Sequence, residues 1–177
     1  MSGDAGLKDR LRKFVNRSAT FAMPNKKAAY ELTHTIFYLS EYGRKCPNLG
    51  DNARQSLDFA GTLAFLEQNA DLLAEVCVAM QYAGIEPPKV WQNWLAHHLR
   101  NFECIIGEHA TPQDDYHEYL VCNWFLANAT GRIFESDLQP GRMAFFRPKT
   151  ATGPSGKCQS ACSGWVSSAW MIGARCV

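Results

Sequence analysis

Histidines and carboxylates at helical spacing are the residues of this sequence that can do chemistry. Glu31 precedes His34 by three residues and Asp114 precedes His117 by three, so each pair places a carboxylate and an imidazole on one side of a helix. His98 lies on a stripe of apolar residues. We therefore expect His34, His98 and His117, each on a different helix, to point into a common core.

Three interpretations of these side chains are open at this point. Zinc or iron binds imidazole and carboxylate ligands, and an open coordination position on such a metal activates water or oxygen. A histidine paired with a carboxylate instead works without metal as a general acid–base, because the carboxylate fixes the tautomer of the imidazole. In the third interpretation each histidine is structural and hydrogen-bonds to a backbone carbonyl or a tyrosine.

The sequence also places two carboxylates, Asp71 and Glu75, one turn apart in another helix. Asp71 either contributes to the histidine site or stabilises the first turn of its helix, where a negative charge is favourable. We predict catalytic roles for His34, Asp71 and His117. The predicted metal ligands are Glu31, His34, His98, Asp114 and His117.

The expected cofactor is a divalent transition metal, zinc or iron, and no nucleotide cofactor is expected. The sequence contains no P-loop, no Rossmann glycine pattern, no G-x-S-x-G elbow and no H-E-x-x-H motif. These absences argue against nucleotide binding, α/β-hydrolase chemistry and zincin-type proteolysis.

Apolar periodicity predicts helices along the chain up to residue 131. Their expected ranges are 7–15, 27–42, 52–83, 88–106 and 111–130, with the third divided in two near residues 68–70. Gly43, Gly107 and Gly131 are expected to end three of them. No segment before residue 131 alternates between polar and apolar residues in the manner of a strand. The predicted fold class is therefore all-α, with a compact helical bundle or a fragment of a helical array over residues 5–131.

Residues 132–177 are expected to form an extended and partly flexible C-terminal region. The short apolar run 143–146 is typical of an edge strand or a docking segment. Residues 151–177 are rich in Ala, Gly, Ser and Cys without a clear period, which fits a flexible tail, a fused segment or a frame-shifted end. Truncation after Thr150 is expected to leave the helical domain folded.

Composition and charge exclude several classes of protein. The 177 residues are 46% hydrophobic, which is too apolar for a disordered chain. No apolar run reaches the roughly 20 residues of a membrane span and no secretory signal is apparent, so we expect a cytoplasmic protein with no membrane partner. Seven cysteines, an odd number, argue against a secreted disulfide framework.

The net charge of +1 hides an uneven distribution. Residues 1–27 carry seven Lys or Arg against two Asp or Glu, residues 28–131 carry five against thirteen, and residues 132–177 carry six against two. The basic flanks fit solvated helix faces, and they also fit contact with an acidic partner. Nucleic acid is not an expected partner, because no recognised nucleic-acid motif accompanies the flanks.

Three stretches of the chain, YELTHTIFYLSEYG, NADLLAEV and DDYHEYLVCNWFLANATGR, resemble a group of uncharacterised all-helical bacterial proteins. In that group a T-H-x-x-F-Y-type helix recurs together with a second histidine-bearing helix. The resemblance covers residues 28–131, implies a helical fold and draws attention to His34, Asp71 and His117. It implies no particular activity.

Two functions from different classes follow from these observations. The first is a small metal-dependent enzyme in a biosynthetic pathway, with a His/carboxylate site between helices that acts on a small molecule or a peptide. The second is a non-catalytic binding subunit whose apolar groove holds a peptide or helix of a protein partner. Metal analysis of protein purified without an affinity tag discriminates between the two.

Overall fold

The computed structural model describes residues 6–106, 115–132 and 143–147. The helices are α1 (Leu7–Val15), α2 (Ser18–Phe21), α3 (Lys26–Leu39), α4 (Asp51–Leu66), α5 (Ala70–Tyr82), α6 (Lys89–Leu99) and α7 (Tyr116–Thr130). Two short strands, β1 (Glu103–Ile106) and β2 (Met143–Phe146), form an antiparallel pair. The predicted helical fold class is confirmed. No helix in the described ranges is long and apolar enough to cross a membrane.

Helix α5 occupies the centre of the bundle. It packs against α3, α4, α6 and α7, and nearly every residue from Ala70 to Met80 is buried. A helix that is apolar on all sides can bury its whole surface only when other helices surround it, which explains its central position. The two charged residues of α5, Asp71 and Glu75, therefore lie inside or at the edge of the core.

Helices α3, α5 and α7 run in the same direction. Contacts between α3 and α5 pair Tyr30 with Asp71 and Phe37 with Tyr82, so the residue numbers rise together along both helices. Contacts of α7 follow the same order, from His117 beside Asp71 to Trp124 beside Tyr82. The N-terminal parts of α3 and α7 therefore both contact the first turn of α5.

Local sequence signals explain where these helices begin and end. The side chains of Asn25 and Asn69 accept hydrogen bonds from backbone N–H groups in the first turns of α3 and α5, at 3.1 and 3.2 Å. Gly131 ends α7 in the left-handed conformation, with a φ of 73°. The predicted division of residues 52–83 near residue 69 is confirmed, because α4 ends at Leu66 and α5 begins at Ala70.

Close packing between helices depends on one glycine. Gly61 of α4 faces the indole ring of Trp91 on α6, and a Cβ atom at position 61 would lie 2.5 Å from two atoms of that ring. Only a residue without a side chain permits this approach.

Two predictions about the second half of the chain need correction or completion. The predicted helix 88–106 is too long, because α6 ends at Leu99 and residues 103–106 form β1. Cys104 pairs with Phe145 of β2, so of the two interpretations of residues 143–146, an edge strand or a docking segment, the strand is the one observed. Strand β1 was not predicted, because its pairing partner lies about 40 residues later in the chain and local periodicity does not detect a partner at that distance.

Several predictions fall on residues that the structure does not describe. The predicted helix start at residue 111 lies outside the described ranges, and so does Asp114; within them, α7 begins at Tyr116. The prediction of a tail at residues 151–177 lies outside them as well. The strand β2 contacts α7, so described residues on both sides of the predicted domain boundary at residue 131 pack together.

Candidate functional site

Asp71, in the first turn of α5, connects three helices through its two carboxylate oxygens. The Tyr30 hydroxyl of α3 donates a hydrogen bond to Oδ2 at 2.6 Å, and Nδ1 of His117 on α7 lies 2.7 Å from Oδ1. A carboxylate can only accept hydrogen bonds, so Nδ1 of His117 must carry the proton in this contact. The Asp71 side chain is 17% exposed, whereas that of His117 is 62% exposed. The arrangement therefore joins a largely buried carboxylate to an imidazole that solvent can reach.

Glu75 lies one turn further along α5 and has a similar pair of neighbours. Its Oε2 atom is 2.5 Å from Oγ1 of Thr33, and its Oε1 atom is 3.5 Å from Nε2 of His34, both on α3. Glu75 is 4% exposed and His34 has an exposed side chain. Side chains four residues apart on a helix have Cβ atoms about 5–6 Å apart, so the two carboxylates are neighbours on one face of α5.

The hydroxyl of Thr33 contacts both Glu75 and a backbone carbonyl. Oγ1 of Thr33 lies 2.5 Å from Glu75 and 2.9 Å from the backbone carbonyl of Tyr30, but it has only one proton to donate. Thr33 therefore donates to either Glu75 or the carbonyl at any one time. Donation to Glu75 favours the charged carboxylate, so this contact opposes the effect of burial on the carboxyl group.

Burial changes the acidity of two groups in this region. Burial, reinforced by the nearby charge of Asp71, raises the pKa of the Glu75 carboxyl, and the Thr33 and His34 contacts oppose this effect only in part. Burial and the hydrogen bond to Asp71 raise the pKa of the Tyr30 hydroxyl, which therefore stays protonated as a donor. A buried carboxyl group whose pKa is raised, one turn from a second carboxyl group, is typical of sites that transfer protons.

We call the six residues described above the carboxylate cluster. Its members are Tyr30, Thr33 and His34 of α3, Asp71 and Glu75 of α5, and His117 of α7. The cluster opens to solvent at its two histidines. It contains every residue predicted to be catalytic, namely His34, Asp71 and His117.

An open groove between α1 and α3 adjoins the cluster at His34. Its volume is about 490 Å³, within the range of pockets that bind small molecules. The lining residues are Leu7, Leu11 and Phe14 of α1 and Glu31, His34, Thr35 and Tyr38 of α3. We call this feature the α1/α3 groove. Because His34 belongs to both, a molecule in the groove lies beside the cluster.

The prediction that three histidines point into the core is correct for His98 and wrong for His34 and His117. The side chains of His34 and His117 are 66% and 62% exposed. In α3 the buried face includes Leu32 and Ile36, and His34 lies on the opposite, solvent-facing side. Both exposed histidines still contact a carboxylate of α5 from the outside. They reach the predicted site although their direction was predicted incorrectly.

His98 belongs to a different group of residues. It is 7% exposed, stacks on Trp94 at a ring distance of 4.9 Å and contacts the edge of Phe102. Its Nε2 atom lies 2.6 Å from Oε1 of Glu118 on α7, and Nε of Arg147 lies 3.2 Å from the same oxygen. These contacts link α6, α7 and the end of β2. His98 therefore has a structural environment rather than a place in the carboxylate cluster.

The predicted metal ligands are not assembled into one group by the described residues. Glu31 is exposed and makes no hydrogen bond or ion pair within the described part of the chain, and Asp114 lies outside it. His98 contacts Glu118 instead of the other predicted ligands. Among the described residues, no three His, Cys, Asp or Glu side chains are arranged to hold a metal ion. A metal cofactor stays a prediction.

The sequence interpretation missed the roles of Tyr30 and Thr33. Both are one turn or less from His34 on α3, so helical spacing alone could have grouped them with it. Nothing local could have shown which of them contacts Asp71 and which contacts Glu75, because that depends on how α3 packs on α5. The role of Glu118, seven residues before Phe125 on α7, was missed for the same reason.

Two buried thiols are unsuited to nucleophilic chemistry. Burial raises the pKa of the Cys77 thiol to about 12, and it raises that of Cys122 further. A thiol reacts as the thiolate, so both residues behave as small apolar side chains in the core.

Comparisons with known proteins give one result. A family model described as a domain of unknown function, DUF6902, matches residues 1–162. No curated protein and no solved structure matches the chain. The match extends over the carboxylate cluster, the α1/α3 groove and the His98 group. The chain therefore belongs to the DUF6902 family.

Proposed function

We propose that this protein is a small enzyme that uses the carboxylate cluster for general acid–base catalysis. The observation that carries the proposal is the chain of contacts from Tyr30 through Asp71 to His117, with distances of 2.6 and 2.7 Å. A buried carboxylate that orients an accessible imidazole is the arrangement that general bases require. A purely structural histidine has no need to keep most of its ring in solvent.

His117 is the general base in this proposal. Because Nδ1 donates its proton to Asp71, the lone pair of neutral His117 is on Nε2. Nε2 takes a proton from an O–H, N–H or activated C–H group of the substrate, and Asp71 stabilises the imidazolium that results. Tyr30 holds the second oxygen of Asp71 and so fixes the orientation of the carboxylate.

Glu75 and His34 supply the acid in the same proposal. Burial favours the protonated form of Glu75, whose Oε1 atom faces His34 at 3.5 Å. The exposed imidazole of His34 passes a proton to the substrate on the side of the α1/α3 groove. The two pairs together give one acceptor and one donor of protons, held by carboxyl groups one turn apart on α5, and the donor His34 lines the groove.

A metal-dependent version of the enzyme is supported only by the types of side chain in the cluster. Imidazole nitrogens and carboxylate oxygens, the groups present in the cluster, are ligands that zinc accepts. A cytoplasmic location and a biosynthetic role are likewise proposals from the sequence. Metal analysis of untagged protein tests the metal: zinc or iron bound at one ion per chain, and lost in a His117→Gln variant, would replace the metal-free mechanism.

The acid–base proposal is tested by turnover of a panel of small amines, esters and carbonyl compounds, followed by NMR. We expect His117→Gln and Asp71→Asn to lower turnover by about 10²–10⁴-fold, the usual contribution of a general base. His97→Gln is the matched control, because His97 is exposed on α6 outside the cluster. Turnover that is equal in all three variants and the wild type would contradict the proposal.

The α1/α3 groove favours a second candidate, a binding subunit without catalytic activity. Three apolar side chains of α1 line one wall of this open groove, which resembles the surfaces that receive an amphipathic helix. A substitution in the groove, such as Leu11→Asp, would then abolish partner binding, and His117→Gln would leave it intact. In the enzyme, by contrast, His117→Gln would abolish the function that is measured. The response to these two substitutions therefore distinguishes the enzyme from the binding subunit.

A further inference from the structure

The α1/α3 groove combines an apolar wall with a small set of ionisable groups. Leu7, Leu11 and Phe14 form the wall on α1, at the i, i+4, i+7 spacing that places side chains on one face of a helix. On the opposite side α3 contributes Glu31 and His34, one turn apart. A molecule that fills the groove therefore contacts apolar surface along one side and polar groups along the other.

The fixed charge in the groove is negative. Among the described residues that line it, only Glu31 and His34 can carry a charge. Glu31 makes no hydrogen bond or ion pair within the described part of the chain, so its carboxylate is available to a ligand. The basic residues of α1 are not among the lining residues, and Arg12 donates a hydrogen bond to the backbone carbonyl of Asn48.

We propose that the α1/α3 groove binds an amine that carries an apolar body, and that such amines are the substrate class of the carboxylate cluster. This inference rests on the proposed function for the reaction, but the binding itself does not depend on it. The apolar body packs on Leu11 and Phe14, and the ammonium group pairs with Glu31. His34 then lies next to the amine nitrogen, one helical turn from Glu31.

The size of the groove limits the ligand. A volume of about 490 Å³ accommodates a single aromatic ring or a short alkyl chain together with its polar group. Tyr38, which is 48% exposed, gives an aromatic surface at the same site. An aryl-alkyl amine satisfies the shape, the apolar wall and the charge together.

Three probes of similar shape and different charge test the inference. They are 2-phenylethylamine, 2-phenylethanol and 3-phenylpropanoate, titrated into the full-length protein and followed by backbone amide chemical shifts. We expect the amine to bind about two- to fivefold more tightly than the alcohol, the ratio that an exposed charge pair provides, and the carboxylate to bind most weakly. The shifts should be largest around Leu11 and Glu31.

Two variants assign the preference to the groove. Glu31→Gln should remove the advantage of the amine over the alcohol and leave the affinity for the alcohol unchanged, because it keeps the shape of the side chain. Asp58→Asn is the matched control, since it removes the charge of an exposed residue on α4 outside the groove. Leu11→Ser should weaken all three probes.

The inference is overturned if none of the probes binds, if all three bind equally or if the carboxylate binds most tightly. It is also overturned if Glu31→Gln retains the full preference for the amine. None of these results depends on turnover, so they leave the acid–base proposal to its own test. Conversely, selective amine binding without any effect of His117→Gln on turnover would separate the groove from the proposed catalysis.

Discussion

Replacing Asp71 by Asn tests the centre of the carboxylate cluster without changing the volume of the side chain. Asparagine has one acceptor oxygen and one NH₂ group where Asp71 has two acceptor oxygens. Only one of the two donors, the Tyr30 hydroxyl or Nδ1–H of His117, can then keep its hydrogen bond. The other donor faces the NH₂ group of the amide and loses its partner.

The size of the effect follows from the exposure of each partner. A hydrogen bond to a charged acceptor contributes about 1.5–3 kcal/mol when it is shielded, as the Tyr30 contact is in part, and a neutral bond contributes about 1 kcal/mol. The contact of His117, whose side chain is 62% exposed, contributes about 1 kcal/mol or less. Asp71→Asn should therefore lower the free energy of unfolding by about 1–3 kcal/mol. A loss of about 2 kcal/mol lowers the Tm of a chain of this length by about 4–8 °C.

Urea denaturation followed by circular dichroism measures the stability, and nitrogen NMR of the imidazoles measures the tautomer of His117. In the wild type, neutral His117 should carry its proton on Nδ1, and Asp71→Asn should allow it to move to Nε2. Asp58→Asn, an exposed control on α4, should change the stability by less than about 0.5 kcal/mol. The reasoning is refuted if Asp71→Asn behaves like Asp58→Asn and the His117 spectrum does not change.

Three further predictions concern stability and use the same denaturation assay. Burial raises the pKa of Glu75, so above its ordinary value of 4.5 the unfolded chain releases a proton that the folded chain retains, and the wild type loses stability as the pH rises. Glu75→Gln should lack this loss, and a pH-independent difference between the two proteins would contradict the prediction. His98→Ala should cost about 2–4 kcal/mol because it removes a buried ring that packs on Trp94 and opens a cavity. The exposed control His97→Ala should cost less than about 0.5 kcal/mol, and equal effects would show that His98 is not a structural link. Gly61→Ala should destabilise the fold, because overpacking against Trp91 costs about 1–3 kcal/mol and exceeds the gain of about 1 kcal/mol in helix propensity; a variant as stable as the wild type would mean that the ring moves aside freely.

The positions of most helices could be predicted from the sequence because helix formation is largely a local property. Asn69 caps α5 and a three-residue connection separates it from α4, as the pattern around residue 69 predicts. Gly131 ends α7 for a reason that also lies in one residue, its tolerance of positive φ. The capping contacts involve residues close together in the chain, so the sequence contains their whole explanation.

The direction in which individual side chains point was harder to predict from the sequence than the positions of the helices. The apolar residues of α3 are spaced so that they occupy nearly every side of the helix, and this pattern predicted that His34 is buried. In the structure α1 covers only part of that helix, so Glu31, His34 and Tyr38 stay exposed. Periodicity shows which residues share a face, but the number of neighbouring helices decides whether a second face is buried.

The sequence by itself determined that α5 is apolar enough to be central and that it carries two carboxylates one turn apart. It also marked His34, Asp71 and His117 as candidates for one site. Only the tertiary structure decided that Asp71 contacts Tyr30 and His117, that Glu75 contacts Thr33 and His34, and that His98 contacts Glu118 instead. Each of these pairs joins residues at least 20 positions apart, and their contact depends on the parallel arrangement of α3, α5 and α7 or the packing of α6 on α7, which no local pattern encodes.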